Sequence, residues 1–285
     1  MPEGDTVFLA GTRLHAALAG RRLLATEFRV PRPVRSPSGP TYSLRPASLV
    51  AADLSGQLVR EVVARGKHLL LRTDAGTSLH THFKMEGSWH LYRPKERWRG
   101  PDFQVRAVLR TEPWVAVGFR LAICELLPTG DEHEVVGHLG PDVLGPDWDP
   151  AEALRRLRAD PDRAIGTALL DQRVLAGPGN VYKSEVCFLR GVDPWTPVGQ
   201  VEDLDGMVDL LKRLMEANRT TGSQITTGDT RPGRTSWVAA RTGKPCRRCG
   251  APIRKAGQPS HDTDRVTYWC PTCQPGPGPA RARAR

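Results

Sequence analysis

The stretch CRRCGAPIRKAGQPSHDTDRVTYWCPTC, residues 246–273, holds two Cys-x2-Cys knuckles separated by twenty residues. That spacing lets Cys246, Cys249, Cys270 and Cys273 close tetrahedrally around one metal ion, and four thiolates in this arrangement select zinc. A redox dithiol pair and a protein-binding zinc ribbon are the competing readings of the same four residues. The stretch is also the most basic part of the chain. From Ser236 to Arg285 ten Lys/Arg face only Asp262 and Asp264, so this segment carries +8 of the chain's net +10. A metal-stapled, strongly basic module is most simply a clamp on nucleic acid.

Outward from this module, the 285 residues leave room for two further domains. No run approaches the roughly 20 apolar residues of a membrane span, so no membrane partner is expected. The start MPEGDTVFLAGTRLHAAL carries acids early and lacks a basic leader region, unlike a secretory signal. With four cysteines committed to metal, Cys124 and Cys187 are isolated thiols, a usage that suits a reducing cytoplasm.

Val7, Ala10, Leu14, Ala17 and Leu18 recur at helical spacing, which predicts a helix over 5–19. Eight short β-rich runs follow between Arg22 and Leu126: LLATEFRV, LVREVVA, KHLLLRT, TSLHTHF, GSWHLY, FQVRAVLR, WVAVGF and LAICEL. Punctuated by Gly, Pro and Asp, they predict an antiparallel sandwich or barrel, interrupted by loops at 29–40 and 92–102. A Pro/Gly/Asp-rich hinge at 138–149 ends in Asp149-Pro150-Ala151-Glu152, an N-cap, a first-turn proline and a capping-box acid. Helices are expected at 150–159, about 162–175, 180–190 and 203–218. The fold class is therefore α+β and multidomain. A catalytic β-sandwich domain with its N-terminal helix covers 1–137, a helical domain 150–235, a zinc-binding β-hairpin 236–274, and a disordered basic tail 275–285.

Several residues have chemical potential. Removal of Met1 would leave Pro2 as a free secondary amine, and an α-amine titrates near 7.7–8.0, so a fraction is nucleophilic at neutral pH. Such an amine can attack a sugar aldehyde carbon to give an iminium ion, and the Glu3 carboxylate beside it can move protons. Taken alone, this start is equally an ordinary chain terminus. Gly66 marks a tight turn between two β-runs, with Lys67 at its exit; such lysines are usually only solvated. Gly177-Pro178-Gly179-Asn180 separates two helical patterns and is expected to put Asn180 at a helix N-cap, where free N–H groups suit a phosphate. A plain helix–turn–helix joint explains it as well. Arg265 falls where a zinc hairpin would have its tip.

Together these pieces resemble the formamidopyrimidine-DNA glycosylase/endonuclease VIII family, from Met1 to Gln274. The marks are the MPEG start, RGKHLL, THFKMEGSW, LGPDVL, LLDQRVLAGPGNVYKSEV and RVTYWCPTCQ. The LLDQ…AGPGN run resembles the family's helix–two-turn–helix. The resemblance implies a bifunctional DNA glycosylase/AP lyase of base excision repair that cleaves the strand by β,δ-elimination. It implies Pro2 as Schiff-base nucleophile and Glu3 as acid/base. Lys67 would contact phosphate and donate a proton, and Arg265 would grip phosphates and support δ-elimination. Asn180, with Gly177 and Gly179 in its turn, would hold the backbone beside the lesion. Met85, with Lys84 next to it, would fill the gap left by the everted nucleotide, since a base must leave the stack before its glycosidic bond is reached.

The implied partner is double-stranded damaged DNA, with single-stranded or bubble DNA as further forms; the implied cofactor is one structural zinc ion and no other. The chain is expected to act as a cytoplasmic, nucleoid-associated monomer. It leans to the endonuclease VIII branch and oxidised pyrimidines, with an oxidised-purine or abasic-site specialist and a non-catalytic damaged-DNA binder as alternatives. It departs from the family before the zinc knuckle, where Val238-Ala239-Ala240-Arg241 stands in place of the usual Val-Tyr-Gly-Arg.

Overall fold

The computed structural model describes residues 2–29, 52–259 and 264–279. The loop anticipated from residue 29 thus lies outside the described residues from 30 onward, as does the tail from 280. The chain divides into two compact units on either side of the His138–Leu139 bond.

In the first unit, helix α1 (Gly4–Leu18) buries Val7, Leu14, Ala17 and Leu18 on one stripe. All eight anticipated strands form: β1 (Ala25–Phe28), β2 (Val59–Arg65), β3 (His68–Thr73), β4 (Thr77–His82), β5 (Ser88–Tyr92), β6 (Val105–Arg110), β7 (Val115–Phe119) and β8 (Ile123–Pro128). They pair antiparallel in two four-stranded sheets, ordered β1-β6-β7-β5 and β2-β3-β4-β8. Leu69, Leu71 and Leu79 of one sheet and Phe28, Ala107, Leu109 and Ala116 of the other share a core with α1. The first sheet is buried on its second face too, where Val108, Val117 and Phe119 pack with Trp98. The loop foreseen at 92–102 therefore straps that face rather than hanging free. A short helix α2 (Glu132–Val136), which the sequence reading missed, is pinned by Arg72 and Ser78 to Glu132.

In the second unit, α3 (Pro150–Arg158) starts as its sequence dictates, with Asp149 Oδ1 accepting from the Ala151 and Glu152 N–H groups. Glu152 does not complete a capping box, because Arg155 and Arg156 take its carboxylate. The helix expected at about 162–175 is mostly absent: only α4 (Ile165–Ala168) is helical, and the rest is turns. Gln172 explains the break. Its side chain accepts from Gly177 N–H and donates to the carbonyls of Leu170 and Pro178, holding the chain in two successive turns. Leu139–Leu144, read from sequence as hinge, is buried, and Asp142 bridges to Ala176. Helices α5 (Asn180–Leu189) and α6 (Leu204–Asn218) follow, the latter burying Leu204, Met207, Val208, Leu211 and Met215.

Strands β9 (Arg254–Gln258) and β10 (Arg265–Trp269) form the expected hairpin. The four knuckle sulfurs lie within 4.8 Å of one another. The Cys246–Cys273 and Cys249–Cys270 Sγ pairs are 3.8 and 3.5 Å apart. A tetrahedron with Zn–S of about 2.3 Å has edges of about 3.8 Å, so this cage fits one zinc ion and is too wide for disulfides. Cys124 and Cys187, by contrast, are buried thiols that burial pushes up to about 12, and so they stay protonated.

The family departure before the knuckle has a structural consequence. Ala240 has φ +56°, in the left-handed region where an L side chain crowds its own carbonyl. Ala240→Gly should remove that strain and, after the extra freedom of glycine in the unfolded chain is subtracted, raise stability by about 0.5–1 kcal/mol in a denaturant melt. Elemental analysis should find about one zinc per chain. Cys270→Ser should lose the ion and make 237–274 susceptible to limited proteolysis, because so small a hairpin has little core of its own.

Candidate active site and nucleic-acid interface

Two groups of the anticipated residues assemble, one in each unit. In the first unit the contacts of α1 set the geometry. His15 Nδ1 accepts from Val62 N–H at 3.2 Å, and a side chain at Gly11 would meet the Ala64 backbone at 3.5 Å. Four residues toward the helix start thus correspond to two residues toward the end of β2, so helix and strand run antiparallel. Continued at about 1.5 Å per helical and 3.3 Å per strand residue, this progression carries Glu3 and Pro2 toward the end of the sheet that holds the Gly66-Lys67 turn. That turn joins Arg65 directly to His68 across the β2–β3 ladder. Gly66 supplies φ +58°, as the first central residue of a two-residue hairpin loop needs. Glu3 is fully buried at the head of α1, whereas Pro2 keeps part of its surface.

The β4–β5 loop leaves the same end of the sheet, because His82, the last residue of β4, pairs with His68. Lys84 there has φ +49°, and Met85 is 54% exposed, an unusual position for a large apolar side chain. Arg120, also left-handed at φ +48°, ties this loop to the β7–β8 turn through Glu86 at 3.0 Å. Non-glycine residues held in this conformation gather where function over-determines the backbone. Sequence reading did not single out Arg120 or Glu86, whose pairing spans 34 positions.

Sequence reading also missed a polar row on this sheet. His68 Nδ1 lies 2.8 Å from His80 Nε2, and His80 Nδ1 lies 2.8 Å from Glu125 Oε1. Burial pushes His68 down to about 2, reinforced by His82, His80, His138 and Lys84. Burial, then Lys84 and Lys67, push His82 down to about 3. Both rings are neutral at physiological pH. A signal existed in the alternation His80-x-His82, which puts both rings on one face of β4.

In the second unit the Gly177-Pro178-Gly179 turn leads into α5, with Gly177 at φ +110°. Gly179, not Asn180, occupies the N-cap; Asn180 is the first helical residue. Its side chain is thereby turned from its own helix end to the hairpin, where Nδ2 donates to the carbonyl of Val266. Asn180 and Arg265, which begins β10, thus come together: the hairpin residue that receives the asparagine follows the arginine directly. Lys183 Nζ, fully buried one turn further along, donates to Thr267 Oγ1 at 2.6 Å. Val266 beside Arg265 is 43% exposed.

Residues 1–120 match the formamidopyrimidine-DNA glycosylase N-terminal domain, 139–227 the formamidopyrimidine-DNA glycosylase H2TH domain, and 243–276 the zinc finger found in FPG and IleRS. A probable endonuclease 8 2 of Streptomyces coelicolor is 50% identical over 98% of this chain and 96% of its own. A DNA-(apurinic or apyrimidinic site) lyase Nei2 of Mycolicibacterium smegmatis is 45% identical over 96% of this chain and 99% of its own. Among solved structures, the Lactococcus lactis Fpg bound to abasic-site DNA superposes with a TM-score of 0.76 over 96% of this chain and all of its own. At 22% identity that likeness concerns the fold alone. With three family domains in order and relatives alike over almost the whole length, the chain belongs to the formamidopyrimidine-DNA glycosylase/endonuclease VIII family, on its endonuclease VIII branch.

Proposed function

We propose that this protein excises oxidised bases from DNA and then cleaves the strand, with Pro2 as the nucleophile of both half-reactions. It is a bifunctional DNA glycosylase/AP lyase of base excision repair. The observation that carries the residue assignment is the antiparallel course of α1 along β2, which carries a prospective secondary amine and a buried carboxylate toward the end of the sheet that holds a turn lysine. Once Met1 is removed, the Pro2 nitrogen attacks C1′ of the everted nucleotide and the base departs, leaving the amine on the closed sugar ring. Glu3 protonates the ring oxygen, the C1′–O4′ bond breaks, and the opened sugar is an iminium ion. Loss of a C2′ proton then breaks the C3′–O bond, and Lys67 donates a proton as the phosphate leaves. Arg265 and Asn180 hold the phosphates beside the lesion, Arg265 favouring the second elimination at C5′. Met85, flanked by Lys84, fills the space in the duplex. Gly177 and Gly179 let the backbone approach the strand.

Oxidised pyrimidines are the preferred class, as the resemblance to the endonuclease VIII branch implies. Duplex DNA is the main substrate, single-stranded or bubble DNA a further one, and the chain works as a monomer at the nucleoid. The basic zinc module supplies the phosphate grip, which should weaken as salt rises.

Borohydride reduction of the iminium on an abasic oligonucleotide tests the nucleophile. An added N-terminal residue should abolish the trapped adduct while DNA binding persists; equal trapping would remove Pro2 from the reaction. Arg265→Ala should lower strand cleavage about tenfold or more through loss of charge-assisted phosphate contacts, with the δ-product most affected on a resolving gel.

A further inference from the structure

The three side chains His68, His80 and Glu125 form a directional chain whose proton positions are fixed by its hydrogen bonds. At its far end the Glu125 carboxylate can only accept, so His80 Nδ1 carries a proton and donates at 2.8 Å. In the neutral ring His80 Nε2 is then a lone pair, which makes His68 Nδ1 the donor across the next 2.8 Å. That leaves the His68 Nε2 lone pair as the open end of the chain. His82 is locked the opposite way: the Lys84 N–H donates to its Nδ1 at 2.9 Å, so its Nε2 carries the proton. The His68 and His82 rings stand edge to face with centroids 4.7 Å apart, next to the turn that carries Lys67.

Burial differs along this chain. His80 is 2% exposed, whereas the Glu125 side chain keeps 30% of its surface. The chain thus runs from the Lys67 end of the sheet, through a dry interior, to a carboxylate in contact with water. Nothing about fold stability asks for this. Replacing both histidines by apolar side chains of similar shape would satisfy a buried strand at no desolvation cost.

We propose that His68, His80 and Glu125 are a proton relay serving the strand-cleavage half of the reaction, with His68 facing the site and Glu125 discharging to solvent. This rests on the lyase reading above. The elimination breaks a C2′–H bond and a C3′–O bond; water beside the sugar takes the C2′ proton and hands it to the relay. A proton taken up at His68 Nε2 sends the Nδ1 proton to His80 Nε2, and the His80 Nδ1 proton to Glu125. Both rings end in the other tautomer, one proton has crossed, and Glu125 returns it to water. None of the three need touch the substrate carbon, so they are positioning and relay residues behind the site.

The charged and titratable groups facing this row include Arg65 on β2, Lys67 in the turn, His82 on β4 and Lys84 after it, Glu132 on α2, which interacts with His80, and His138 beyond α2, whose ring centroid is 6.2 Å from that of His68. Burial and the positive charge of Lys84 hold the His68 ring neutral.

Glu125→Gln separates hydrogen bonding from proton acceptance. The amide oxygen can still accept from His80, but it cannot take the proton. His80→Leu breaks the chain with an apolar side chain that suits its buried position. In both variants the adduct with abasic DNA should still be trapped by borohydride. Strand cleavage should fall about tenfold at pH 7–8, within what one general acid–base element contributes. The pH dependence of the cleavage rate should flatten in both variants, because the proton released in the elimination no longer has a path to Glu125. Wild-type cleavage rate and pH profile in both variants would overturn the relay while leaving the lyase reading intact. Failure of the unmodified protein to form any adduct would remove the lyase reading, and the relay with it.

Discussion

Helix α5 depends on one unusual feature, a run of buried polar side chains that reach partners outside the helix. Glu185 is fully buried, yet its carboxylate accepts from the N–H groups of Trp237, Val238 and Ala239, each at 2.8 Å, and from the Thr226 hydroxyl. Lys183 reaches Thr267, Ser184 receives the Tyr268 N–H, and Asn180 reaches Val266. Burying an ionised carboxylate is tolerable only when such donors converge on it. Removing either side would strand the other, so helix and zinc module behave as one piece. Phe188 continues the joint as an apolar one, sharing a core with Val238, Cys246, Ile253 and Cys270. The zinc ion therefore does more than staple a hairpin: by fixing the knuckles it fixes the strand that carries Arg265 and the acceptors for α5.

The first unit is organised by a different constraint. A helix laid antiparallel along β2 must end where β2 ends, and the two-residue turn there is as short as a hairpin allows. A chain terminus and a turn lysine, 65 positions apart in sequence, are brought toward one edge by backbone geometry. The same edge receives the β4–β5 loop because β4 pairs with β3. Three chain segments thus run toward one end of one sheet, and the second sheet with its Trp98 strap serves to bury the opposite side. Burial then tunes what lies there, since the rings of His68 and His82 stay neutral among lysines where a solvated histidine would titrate near neutrality.

Much of this was legible in the sequence because local physics decides it. Period-2 runs separated by turn residues gave all eight strands of the sandwich, Asp149-Pro150 gave the start of α3, and the knuckle spacing gave the metal cage. Pro2, Glu3, Lys67, Asn180 and Arg265 stand at element boundaries, where local signals are strong, but their expected roles, and Met85 altogether, came from the family resemblance. The segment 162–175 read as helix because its apolar spacing permits one. The side-chain bonding of Gln172 to Leu170, Gly177 and Pro178 makes two turns preferable. Asn180 read as an N-cap because asparagine caps well; the hairpin carbonyl of Val266 competes for its amide, and Gly179 takes the cap instead.

What the sequence determined alone was therefore most of the strands and long helices and the zinc ligands, set by spacing within a few residues. What only the tertiary structure decided was their company. Glu185 beneath the 237–239 backbone, Arg120 against Glu86, Ala240 held left-handed, and the row from His68 through His80 to Glu125 each join positions far apart in the chain or fix a conformation that the residue itself disfavours. Hydrogen-bond partners and burial are properties of the packed chain, and no periodicity along the sequence encodes them.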